Sequence, residues 1–304
     1  MKSDSILIVG TGALATLFAA RLASAGIPVT MLGTWVDGLA ALGNQGAKID
    51  GDGRTFRVHA TSIPAECKEA PFALVLVKAW QTRHAARQLA ECLPEDGVAL
   101  TLQNGLGNDA ILADSLGVRR VARGVTTLGA TLLAPGLVLL GGQGPVSLES
   151  HPRLTPLAEM LQRAGFEINV LEDVQSLVWG KLVVSSAINP LTALLRVKNG
   201  GILKHPSART LMGELARETA EVAESLGVRL PFLDAGRAAE DVAQRTAENQ
   251  SSMLQDVLRE APTEIDAING AVAGLAEERH IQVPVNRTVW HLVNALSVGG
   301  KIKI

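Results

Sequence analysis

The sequence predicts an α/β protein: a doubly wound, mostly parallel sheet in the N-terminal half, followed by an all-helical C-terminal domain. Three observations carry this. In the first half, short and wholly apolar runs alternate with helical spacing, as in a parallel sheet covered on both faces. A glycine turn of the form G-x-G-x-x-A joins the first such run to the first helix. After about residue 170, β-branched runs disappear and helical periodicity takes over.

The elements follow in order. Ile6 to Val9 is an unbroken apolar run, and the stretch from Leu14 to Leu22 has helical spacing that ends at Gly26. Val29 to Leu32, Phe72 to Val77 and Val98 to Leu102 read as further strands, with weaker ones at Val121 to Ala122 and Val146 to Leu148. In the second half, helices are predicted over Ser176 to Ile188, Thr210 to Leu226, Asp234 to Gln244, Ser252 to Arg259, Thr263 to Glu278 and Arg287 to Leu296. Pro190, Gly200-Gly201, Gly227, Pro231, Pro262 and Pro284 punctuate them. The expected division is 1–172 and 173–304, with ligands bound in a cleft between the two domains.

Composition narrows the function classes. The chain has 304 residues, more than one core usually organises. With 47% hydrophobic and 19% charged residues it has ample material for folded cores. Lys plus Arg (28) nearly balance Asp plus Glu (30), so there is no basic field for nucleic acid or an anionic membrane. Two cysteines and six scattered histidines supply neither a disulfide framework nor a zinc ribbon, and the protein is read as metal-independent. The absence of tyrosine excludes any mechanism that needs a phenolic acid. Met1 to Ser5 runs straight into the first strand without a signal-peptide pattern, and no window is read as reaching the roughly 20 apolar residues of a membrane span. A cytoplasmic protein is expected.

The glycine turn, Gly10-Thr11-Gly12-Ala13-Leu14-Ala15, has a mechanical reading. The first glycine permits the tight turn, the second lets backbone approach a pyrophosphate, and small Ala15 lets helix and strand pack closely. The following helix N-terminus offers N–H donors and a positive dipole end. Gly-Ala-rich turns are common, and a plain strand–turn–helix connection is the alternative; the apolar strand before the turn and the helix after it point to a Rossmann-type dinucleotide site. An NAD-selective site usually places an acid near the end of the second strand, to hold the ribose 2′-hydroxyl. Here Leu32-Gly33-Thr34-Trp35 holds none before Asp37, which favours NADP.

Candidate catalytic residues cluster in a few stretches. Lys181, Ser185 and Asn189 recur at i, i+4 and i+8 and share one helix face among apolar neighbours. Desolvation would make the Lys181 ammonium a proton donor near neutral pH, while a lysine snorkelling to water fits the spacing equally well. Glu264 could hold a ribose or balance the lysine, but Thr263 and Asp266 resemble a helix-start box. Ser252 could bind a carboxylate, but with Gln255 it also resembles a capping box, and on spacing alone the cap readings are the stronger. Lys78 and Asn104 follow predicted strands, on the side where ligands approach such sheets.

Together these stretches resemble the ketopantoate reductase (2-dehydropantoate 2-reductase) family along nearly the whole chain. The motifs are V-K-A-W-Q-T at Val77 to Thr82, L-Q-N-G-L-G-N at Leu102 to Asn108, and W-x-K-L with I-N-P-L-T-A at Trp179 to Ala193. E-N-x-S-S-M-L-Q-D at Glu248 to Asp256 and T-E-I-D-x-I-N-G at Thr263 to Gly270 complete the set. The resemblance implies NADPH-dependent reduction of 2-dehydropantoate to pantoate, in pantothenate and coenzyme A biosynthesis. It implies Lys181 as general acid and Glu264 beside the nicotinamide ribose. Lys78, Asn104, Ala130 and the Gly10 to Ala15 turn match cofactor contacts, and Asn189, Asn199, Asn249 and Ser252 match substrate contacts.

Two positions depart from the family pattern. Ser185 stands where a second Asn is expected, and Thr34 where an Arg often receives the 2′-phosphate. Ser185 motivates an alternative, a homologous reductase of another small 2-oxo acid. A nucleotide sensor without turnover is a further alternative, against which Lys181 and Glu264 argue, since a sensor needs no proton donor. The helical half also offers a surface for an isologous homodimer.

Overall fold

The computed structural model describes residues 5–298. Residues 1–4, on which the reading of the N-terminus partly rests, lie outside the described residues. The chain forms two compact units, Met1–Gln103 with Asn108–Val174, and Asn104–Gly107 with Gln175–Ile304.

The first unit is built on strands β1 (Ile6–Val9), β2 (Val29–Leu32), β3 (Lys48–Ile49), β4 (His59–Thr61), β5 (Phe72–Val75) and β6 (Val98–Thr101). β7 (Val121–Thr126), β8 (Gly129–Ala134), β9 (Leu137–Gly142), β10 (Val146–Glu149) and β11 (Ile168–Leu171) follow. Its helices are α1 (Ala13–Ser24), α2 (Val36–Gln45), α3 (Thr82–Cys92), α4 (Asn108–Leu116) and α5 (Thr155–Arg163). The main sheet has eight strands in the order β11-β10-β7-β6-β5-β1-β2-β4. All its pairings are parallel except β7 with β10.

Alternation along the central strands explains why the sheet is covered twice. Ile6 and Ile8 of β1, Leu74 of β5 and Leu100 of β6 enter one apolar core with Ala15, Phe18 and Leu22 of α1 and Leu157 of α5. Leu7, Val9, Val75 and Ala99 enter the other, with Leu89 of α3 and Leu112 of α4. That is the doubly wound arrangement expected from runs with no polar face. Missed by the sequence reading are the short edge strands β4 and β11 and a second sheet, β3-β9-β8. β3 has two residues, too few for any alternation to register.

The second unit is helical: α6 (Gln175–Leu195), α7 (Asn199–Leu203), α8 (Pro206–Ser225), α9 (Ala235–Arg245) and α10 (Ser252–Leu258) come first. A π-helical segment, Asp266–Gly270, leads into α11 (Ala271–Glu278), and α12 (Pro284–Val298) closes the unit. α6 runs through two buried clusters, giving Trp179 and Leu182 to one and Val183, Ala187 and Leu191 to the other. Three expectations are corrected here. Pro190 does not end its helix but lies inside it. Gly200-Gly201 is not a break but part of α7. And α6 is, among the described residues, one helix long and apolar enough to cross a membrane, although 61% of its apolar window is buried inside the protein.

Candidate active site

In the first unit the strand order reverses at β1. From there the chain proceeds to β2 on one side and returns through β5 and β6 on the other. Ligands of such sheets bind at the carboxyl ends of strands flanking this switch point. The Gly10 to Ala15 turn leaves β1 there. Gly10 has φ +129°, and a Cβ on it would lie 3.1 Å from the backbone carbonyl of Leu76, so only glycine fits. Around Gly12, a Cβ would meet nothing within 4 Å. No side chain caps α1, and no acid lies in its first turn. An open helix N-terminus of this kind fits the pyrophosphate of a dinucleotide. Ala15 is fully buried in the core beside β1, as close helix–strand packing requires, and Thr11 is buried beneath Gly33.

Lys78 follows β5, half-buried at the start of a single 3-10 turn, Ala79–Gln81. Ala130 lies half-buried on β8, paired with Leu140. Thr34 is exposed just before α2. A network the sequence reading assigned no role stiffens this rim. Gln103 Nε2 donates to the Val77 carbonyl at 2.9 Å and to Thr82 Oγ1 at 2.8 Å, and Thr82 Oγ1 donates to Asn108 Oδ1 at 2.8 Å. Gln103 thereby ties the end of β6 to the end of β5. Its position just past a strand was the available signal.

In the second unit, Lys181, Ser185 and Asn189 are all half-buried, while Leu182, Val183, Ser186, Ala187 and Ile188 are buried. The three polar side chains therefore share one accessible stripe of α6. Burial lowers the Lys181 ammonium to about 8, with the negative charge of Glu264 acting in the opposite sense. Desolvation outweighs the carboxylate, a direction that favours the proton-donor reading over a lysine fully returned to water.

Glu264 is 5% exposed, and its Oε2 accepts a hydrogen bond of 3.2 Å from Asn104 Nδ2. The loop carrying Asn104 is seated by its backbone. Leu106 N donates to the Ala267 carbonyl at 2.9 Å, and Gly105, at φ +81°, leaves no space for a Cβ against Ala267. The helix-start box suggested by Thr263 and Asp266 does not form. Thr263 Oγ1 accepts only from Ile265 N at 3.4 Å, and Asp266 Oδ1 accepts from Trp290 Nε1 at 2.7 Å and Asn294 Nδ2 at 3.0 Å. With the cap explanation gone, Glu264 is a buried carboxylate held by an amide and electrostatically coupled to a lysine.

The remaining candidates lie around the start of α10. Ser251, not Ser252, is its N-cap and accepts from Leu254 N at 3.0 Å. Ser252 is thus released from the capping role, and Gln255 Nε2 donates to the Gln250 carbonyl instead. Ser251 Oγ also lies 2.6 Å from Thr192 Oγ1, which donates to the Asn189 carbonyl at 2.9 Å. This joins the Ser251-Ser252 turn to the Asn189 turn of α6. Asn199, 8% exposed, donates from Nδ2 to Thr246 Oγ1 at 2.8 Å, while its Oδ1 is buried without a partner. Its backbone N–H donates to the carbonyl of Asn249, whose side chain is exposed.

A doubly wound sheet with an open glycine turn, joined in one chain to a helical unit in which a half-buried Lys181 is coupled to the buried Glu264, defines a two-part nucleotide-fold protein. The profile described as "Ketopantoate reductase PanE/ApbA" matches residues 6–153, and its C-terminal counterpart matches residues 173–297. The 2-dehydropantoate 2-reductase of Archaeoglobus fulgidus is 38% identical, over 98% of this chain and 100% of that protein. That of Halobacterium salinarum is 35% identical, over 95% and 97%. Among solved structures, a PanE/ApbA family ketopantoate reductase from Ralstonia eutropha superposes with a TM-score of 0.90 at 27% identity, covering 97% of this chain and 98% of that one. D-mandelate dehydrogenase with NADH and anilino(oxo)acetate shares the fold, with a TM-score of 0.87 at 23% identity over 97% and 98%. The chain belongs to the ketopantoate reductase family.

Proposed function

We propose that the protein is a cytoplasmic NADPH-dependent 2-dehydropantoate 2-reductase, reducing ketopantoate to pantoate. Family membership and relatives carrying that name over their full length support the reaction. The observation that carries the chemistry is Lys181, whose ammonium burial brings to about 8, on one helix face with Ser185 and Asn189.

Gly10, Thr11, Gly12, Ala13, Leu14 and Ala15 would hold the pyrophosphate, with Lys78, Asn104 and Ala130 as further cofactor contacts. When bound, reduced nicotinamide supplies a hydride to the ketone carbon. Lys181 donates a proton from Nζ to the ketone oxygen, where negative charge develops. A donor of pKa about 8 is mostly protonated at neutral pH, yet gives up its proton more readily than an exposed lysine. Glu264 raises the lysine's proton affinity against the effect of burial, so the donor stays charged until the oxygen needs the proton. Ser185, Asn189, Asn199, Asn249 and Ser252 supply amide and hydroxyl donors for the substrate carboxylate and hydroxyl.

Ser185 favours a second reading. It is shorter than an asparagine and leaves room for a different side chain on the 2-oxo acid. Initial rates for a panel of 2-oxo acids, each with NADPH and NADH, separate the two. Ketopantoate with NADPH is expected to give the highest kcat/KM. A better substrate elsewhere in the panel moves the assignment to the homologous reductase.

A further inference from the structure

Pro190 sits within α6 and has no N–H, so the carbonyl of Ser186, four residues earlier, loses its helical donor. Ser186 is fully buried, which excludes bulk water as a substitute. The donor comes from another segment. Asn269 Nδ2 reaches the Ser186 carbonyl at 3.0 Å and also donates to Asn286 Oδ1 at 2.9 Å. Asn286 is itself pinned, because its Nδ2 donates to the Leu215 carbonyl at 3.2 Å and to Glu218 Oε2 at 2.9 Å. Both partners of the Asn269 amide group are acceptors, so its orientation is forced. The cost is visible: Asn269 Oδ1 is left buried without a partner.

The location of this bond matters more than its strength. Asn269 lies in the π-helical segment, five residues after Glu264, and Ser186 lies five residues after Lys181. One amide therefore staples the segment bearing the carboxylate to the helix bearing the amine. Short π-helical turns of this kind are frequent at functional sites.

We propose that Asn269 is a positioning residue, which fixes the separation of the Lys181 amine and the Glu264 carboxylate by answering the carbonyl that Pro190 leaves open. The proposal rests on the reading of Lys181 as the proton donor. Glu264 acts electrostatically on Lys181 and raises the lysine's proton affinity. A larger separation weakens that effect, so the lysine titrates at lower pH.

The test compares Asn269→Ala, Pro190→Ala, the double variant and Lys181→Ala, with ketopantoate and NADPH. Asn269→Ala is expected to lower kcat by about tenfold or more. It should also move the basic limb of the kcat/KM profile to lower pH, with coenzyme affinity unchanged. In the double variant, the Pro190→Ala change returns a backbone N–H to the Ser186 carbonyl. Its Tm should recover toward that of Pro190→Ala alone, while the low kcat and the displaced limb persist. The proposal is overturned if Asn269→Ala matches wild type in kcat and pH limb, or if the double variant regains kcat along with Tm. Should Asn269→Ala fail to fold, the double variant is compared with Pro190→Ala by the same two readouts. Wild-type turnover by Lys181→Ala would instead remove the underlying reading, and the proposal with it.

Discussion

Asn104 and Glu264, 160 positions apart in sequence, are joined by a 3.2 Å hydrogen bond from the asparagine amide to a buried carboxylate oxygen. The bond draws a loop that follows strand β6 into the helical unit, beside the carboxylate coupled to Lys181. A hydrogen bond to a charged group contributes roughly 1.5–3 kcal/mol.

Asn104→Ala should therefore lower kcat/KM by about 10- to 100-fold. Asn104→Asp should be worse, because it sets a second carboxylate against Glu264. Steady-state kinetics with far-UV circular dichroism check both, and a fully active Asn104→Ala shows that the bond is incidental.

Lys181 predicts a stability signature. Its folded-state pKa, about 8, lies below the ordinary 10.5. Between those values the unfolded chain holds the extra proton, so this group makes the protein more stable as pH rises from about 8 toward 10.5. Below about 8 both states are protonated, and the folded state carries the whole desolvation cost of the charged amine. A depression of this size corresponds to at most about 3.5 kcal/mol. Lys181→Met should raise the urea midpoint at pH 7 and flatten its alkaline rise. A lower midpoint at pH 7 contradicts the burial argument.

Coenzyme choice turns on the exposed residue after β2. Thr34 offers no charge to a 2′-phosphate, and Thr34→Arg supplies a planar bidentate donor there. The ratio of kcat/KM with NADPH to that with NADH should rise by about tenfold. An unchanged ratio places the 2′-phosphate elsewhere.

How much was legible follows from the physics of each element. β1, β2 and the Gly10 to Ala15 turn were readable because buried parallel strands have no polar face and the turn has a steric requirement. α6 was readable as a helix, but its end was not. Pro190 looked like a terminator, and only Asn269, 79 positions later and invisible to any local pattern, supplies the donor that lets the helix continue past it. Ser251 and Ser252 illustrate the limit at single-residue scale, since adjacent serines offer two capping registers and packing against Thr192 selects the first. Spacing left Lys181 open between a snorkelling side chain and a buried acid, and Glu264 looked like an ordinary first-turn residue. Their burial and coupling are tertiary facts.

The central claim is that the Lys181 amine delivers the proton to the reduced ketone. Its most direct test is kcat of Lys181→Ala with saturating ketopantoate and NADPH, measured beside NADPH affinity in the same preparation. The account predicts a fall in kcat of about 10²-fold or more with NADPH bound as tightly as before. Turnover at the wild-type rate would contradict it.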